Sequence, residues 1–141
     1  MHIDANILVL AGSLALTVTL GLAWSLAGIR YLSSGFLKSL FPSYAYLLKA
    51  HIDFLLMTGL LMVFFLLFAH FQVSPAPTVL VAMCIGSLGN PAGFLALAIK
   101  PDLPQRPNSP FGALMTGSFV LTTVGYLGAA WYVARAAVLG L

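Results

Sequence analysis

The chain has 141 residues, of which 61% are hydrophobic and 6% charged, with six basic and three acidic side chains for a net charge of +3. A composition this apolar excludes a water-soluble domain and puts the protein in a bilayer. A positive charge this small and scattered excludes nucleic acid as a partner.

The length predicts a single domain over residues 1–141. Its first apolar run extends from Asn6 to Ile29. Only His2 and Asp4 add polarity before it, and no Lys or Arg precedes Arg30, so the basic start of a secretory signal is missing and the run reads as a retained membrane helix. The connection "RYLSSGFLKSLFPSYAYLLK" is long, aromatic and basic, which suits a short helix lying at the interface. A second run follows from Ala50 to Phe71, then the uncharged turn "QVSPAP", then a third run from Thr78 to Ile99. "KPDLPQRPNSP" carries too many prolines for a helix and predicts an ordered or polyproline-like loop. The fourth run extends from Phe111 to Val138. Each run is long enough to cross about 30 Å of hydrocarbon at about 1.5 Å per residue. The expected fold is therefore an all-α integral membrane protein, a bundle of four transmembrane helices.

Arg30, Lys38 and Lys49 flank the first connection, Lys100 and Arg106 the third, and Arg135 alone falls on the opposite side. The positive-inside rule then puts both termini outside the cytoplasm.

Ionisable groups at membrane depth are costly, so they are the first candidates for function. His51 stands one turn into the second run. Its Nδ1–H can reach the carbonyl of Leu47, which would leave Nε2 free for a metal; the alternative is an interfacial histidine bonded to a loop or a headgroup. His70 is roughly 28 Å further along the helix, too far to share one ion, and suits the outer interface. Asp53 faces away from His51 and has Lys49 four residues before it, the spacing of a helical ion pair. In the third run Gly86, Gly89, Asn90 and Gly93 recur on one face, where a neighbouring backbone or a flat cofactor can come close. Pro91 frees the carbonyl of Ser87. Thr116, Ser118, Thr122 and Thr123 of the fourth run suit hydroxyls bonded to their own helix, and Gly125 with Ala129 suits helix packing. Cys84 is the single cysteine and reads as a small buried hydrophobe. A pair of acids in one segment, His-x-x-His, CxxC and phosphate loops are all absent, so zinc chemistry, two-carboxylate hydrolysis and nucleotide binding have no support in the sequence.

Taken in order, "KAHIDFLLMTGLLM", "GSLGNPAGFLALAIKP" and "RPNSPFGALMTGSFVLTTVGYLGAAWY" resemble the second helix, third helix, Pro-Asn and Phe-Gly loop and fourth helix of the styrene oxide isomerase family. The likeness covers about residues 45–135 and rests on order and spacing. It implies a four-helix protomer in a bacterial inner membrane, assembled as a homo-oligomer (a trimer in that family), with haem b near the protomer interfaces. His51 would be the iron ligand, and Gly86, Gly89 and Gly93 would line the cofactor. The substrate would be a small lipophilic epoxide, rearranged to an aldehyde with ferric iron as Lewis acid, with membrane lipid as the protein's other partner. Where the family has an asparagine after the histidine, this chain has Met57 or Thr58, and where the family has a tyrosine after Gly-Phe it has Leu95. Thr58 and Asn90 are the polar groups left to place or polarise a substrate. A haem-binding protein without turnover and a cofactor-free structural subunit are the other readings of the same chain.

Overall fold

A computed structural model describes residues 4–140. His2 and the outermost ends of the single-domain reading lie outside the described residues. Five helices follow in chain order: α1 (Asn6–Arg30), α2 (Gly35–Leu40), α3 (Tyr44–His70), α4 (Pro77–Ile99) and α5 (Pro110–Leu139). Among the described residues there is no strand. The four long helices are each long and apolar enough to cross a membrane, so the chain is an all-α, multi-pass integral membrane protein.

Sequence sets the helix ends. Ser109 caps α5 by accepting from the Gly112 amide at 3.0 Å, with Pro110 at the first helical position, where its missing N–H costs nothing. Pro77 plays that part for α4. Ser34 caps α2, the short helix expected in the first connection. Ser43, just after Pro42, caps α3. That cap corrects the expected start at Ala50: the helix begins at Tyr44, and His51 stands two turns in rather than one. The proline-rich third connection is non-helical, as its composition predicts.

Helix α3 packs between α1 and α4, and α4 packs against α5. Towards the α3–α4 turn all four spans share a core of Leu8, Leu61, Phe68, Leu80, Met83, Cys84 and Ala129. At the opposite end the core is Ala15, Leu22, Leu26, Leu47, Ala50, Phe54 and Ala98, drawn from α1, α3 and α4. The first turn of α3 is tied to the last turn of α4 there by Ser43 N–H donating to Ala98 O at 3.2 Å. Large apolar side chains such as Leu10, Trp24, Phe119 and Trp131 stay exposed on the outside. In a bilayer that surface meets lipid tails, so it is no liability.

Candidate functional site

Two ionisable side chains within the spans, His51 and Asp53, stand on the N-terminal half of α3. His51 is half-buried. Its Nδ1 lies 3.1 Å from the carbonyl oxygen of Thr19 on α1. A carbonyl only accepts, so Nδ1 donates the N–H of this bond, and Nε2 takes no part in it. The expected partner, Leu47, is corrected to Thr19. The small, fully buried Ala15 and Ala50 bring α1 and α3 close at this level, so the ring crosses the seam instead of folding down on its own helix. The Thr19 hydroxyl is spent within α1, donating to Ala15 O at 2.8 Å.

Asp53 is half-buried and points the other way, to α4, where Asn90 Nδ2 donates to its Oδ2 at 3.2 Å. The two residues sit at matching depths once the true start of α3 is known. Asp53 is nine residues from the start of α3 and Asn90 nine from the end of the antiparallel α4, about 13 Å in from the same end in each case. The expected Lys49–Asp53 ion pair is replaced by these contacts. The Lys49 ammonium lies over the rings of Tyr46 and Phe94, 5.7 and 5.8 Å from their centroids, an attraction that needs no carboxylate. Lys49, Ile52, Asp53 and Phe94 line an open cleft of about 220 Å³ on the α3–α4 flank.

Thr58 is buried and its hydroxyl donates to Phe54 O at 2.9 Å, so it serves its own helix. The glycine stripe faces α5 throughout. A methyl group on Gly86 would stand 2.5 Å from the Thr122 amide nitrogen, one on Gly89 2.5 Å from Ser118 Oγ, and one on Gly93 would meet the Met115 side chain. Within the protomer that face is filled by a helix, and Gly86, Gly89 and Gly93 make no cradle for a flat cofactor there. Asn90 leaves the stripe's shared face to reach α3. The α4–α5 seam also holds a contact the sequence reading missed, between the hydroxyls of Ser87 and Tyr126 at 2.8 Å.

His70 is exposed at the last residue of α3, its ring edge-on to Phe71. Cys84 is buried, with Ile7 O 3.8 Å from its Sγ. Thr116, Thr122 and Thr123 donate to carbonyls one turn back on α5. Among the described residues no three His, Cys, Asp or Glu side chains gather to hold a metal ion. An axial ligand to a porphyrin needs only one such side chain, and in His51 one ring nitrogen is held by a carbonyl while the other takes no part in that bond.

Comparison with family models, curated proteins and solved structures gives no match. What fold and chemistry define together is a four-span helical membrane protein with a polar seam around one end of α3.

Proposed function

We propose that this protein binds haem b through Nε2 of His51 and isomerises a small lipophilic epoxide to a carbonyl compound, as its resemblance to the styrene oxide isomerases implies. The hydrogen bond from Nδ1 to Thr19 O carries the reading, because it fixes tautomer and ring together. Ferric haem bound there supplies a Lewis acid that draws charge from an epoxide oxygen and weakens its C–O bond.

The chain's own part is to hold the ring, present an apolar surface and keep water away. His51 is only half-buried and the glycine stripe is filled, so the cofactor would lie on the outer α1–α3 flank. A second copy in a homo-oligomer would cover it. Exposed Leu20 on α1 and Leu55 on α3 offer a dry surface beside it, which limits hydrolysis to a diol. The basic residues flanking the first and third connections favour both termini outside the cytoplasm. A C-terminal reporter active only in the cytoplasm is expected to be silent, and a strong signal reverses the topology.

A second reading, haem binding without turnover, is favoured by one pair of observations. The Thr58 hydroxyl is committed to Phe54 and the Asn90 amide to Asp53. Substrate placement then has to come from shape alone.

The test is a visible spectrum of detergent-purified protein and of three variants. His51→Asn keeps an amide donor for Thr19 but has no ligand nitrogen, so it is expected to stay folded and lose the Soret band. His51→Ala loses both, and added imidazole is expected to restore a band. His70→Ala is expected to keep haem content and Soret position. Full haem content in His51→Asn ends the assignment, and a colourless wild type favours the cofactor-free structural subunit. Aldehyde formed from a supplied epoxide separates isomerase from haem-binding protein.

A further inference from the structure

At the opposite end of the bundle a cleft of about 300 Å³ separates the turn after α3 from the last turns of α5. It is lined by Phe71, Gln72, Val73, Tyr132, Arg135 and Ala136. The polar lining is a guanidinium, a primary amide and a phenol, all hydrogen-bond donors, and no acid is among the lining residues. Of the six Lys and Arg residues, Arg135 alone lies at this end.

A second observation concerns the backbone of Gln72. Helix α3 ends in a Schellman motif: Val73 N–H donates to Phe68 O at 2.9 Å and Gln72 N–H to Ala69 O at 3.4 Å. The motif puts Gln72 in the left-handed region, φ +51, where glycine is the default residue. Glutamine is too long to gain from the local backbone bonds that let Asn or Asp tolerate this region. The left-handed position is filled by a long polar side chain that lines the cleft.

We infer that this cleft takes a phosphate oxyanion at the membrane surface, held by Arg135 with Gln72 and Tyr132 as further donors. A guanidinium matches phosphate oxygens in a planar fork, and Arg135 is exposed at this end of α5, where a headgroup can reach it. Phe71 and Val73 give the cleft an apolar side against which an acyl-bearing headgroup rests, so the phosphodiester of a lipid is the expected source. The inference is independent of the haem reading.

Native mass spectrometry of the protein released from bilayers tests it. Phosphatidylglycerol competes against a galactosyl diacylglycerol of the same chains, and a parallel arm adds inorganic phosphate to lipid-stripped protein. Retention of the phospholipid by wild type, lowered about tenfold in Arg135→Gln, supports the lipid source, since a charge-assisted hydrogen bond supplies that much. Phosphate adducts that vanish in Arg135→Gln, with equal retention of the two lipids, support the oxyanion site but overturn the lipid source. Gln72→Gly is the sharper variant. It relieves the backbone, so its melting temperature is expected to rise while retention falls. A rise in melting temperature with retention unchanged removes Gln72 from the site. Arg135→Gln matching wild type in both arms overturns the inference altogether.

Discussion

The α4–α5 seam and the seams around the first half of α3 hold the same bundle by different means. Between α4 and α5 the backbones themselves meet. A methyl on Gly86 would press on the amide nitrogen and Cα of Thr122, and one on Gly125 would stand 2.6 Å from the Met83 amide nitrogen. Around α3 side chains fill the gap: His51 reaches Thr19, Asn90 reaches Asp53, and the Met62 side chain caps Gly12. A seam closed by backbone has no slack, whereas one closed by side chains can rearrange through rotamers. The α3 seams therefore have the slack to admit a movable group, and the contacts around Gly86 and Gly125 serve as frame.

The largest effect expected from this contrast is at the frame. Gly86→Ala and Gly125→Ala must push two helices apart and are expected to cost about 1–3 kcal/mol each, the usual range for overpacking. Gly12→Ala puts its methyl 2.7 Å from Met62 Cε, the end of a flexible side chain that can swing away, and should cost under about 1 kcal/mol. Thermal unfolding of the three variants in one detergent gives the ranking. If Gly12→Ala proves as damaging as Gly86→Ala, the two seams do not differ in slack.

A smaller effect tests the polar side. Asp53 and Asn90 form a bond between helices inside the membrane, where such bonds couple by about 0.6 kcal/mol on average and rarely beyond about 2. A cycle of Asp53→Leu, Asn90→Leu and the double variant is expected to return a coupling in that range. A value indistinguishable from zero would make Asp53 a lipid-facing or Lys49-directed carboxylate, and the α3–α4 seam purely apolar.

These partners explain what the sequence could and could not reveal. Four spans follow from apolar length alone, and Pro-rich residues 100–110 follow from proline chemistry, so the architecture was legible. The start of α3 was misjudged because hydropathy locates the lipid-facing stretch, while the helix begins at the Ser43 cap in polar sequence ahead of it. The partners of His51 and Asp53 were misassigned to Leu47 and Lys49 because spacing along one helix reveals only neighbours on that helix. Thr19 and Asn90 become partners once α3 is known to lie between α1 and α4. The glycine stripe was legible as a close approach, but not what approached: Thr122, Ser118 and Met115 of α5 fill it.

The smallest effect expected is also the control on glycine itself. Gly59 on α3 and Gly117 on α5 have open space where a methyl would go. In water, replacing a helical glycine by alanine gains about 1 kcal/mol from reduced backbone freedom. Inside a membrane the gain shrinks, because a spanning segment stays helical even when its neighbours separate, and both states then share the same backbone order. Gly59→Ala and Gly117→Ala are therefore expected to move the stability of the isolated protomer by under about 0.5 kcal/mol, against the much larger cost at Gly86. The exposed surroundings of Gly59, among them Leu55, Leu56, Leu60 and Val63, make this variant informative beyond its own size. Thermal unfolding is followed at protein concentrations that do and do not support assembly. A loss confined to the assembled form would show a second copy packed against this face of α3. A loss in both forms would mean that a glycine in open space is costly in its own right, and the contrast between the two seams could no longer rest on contact.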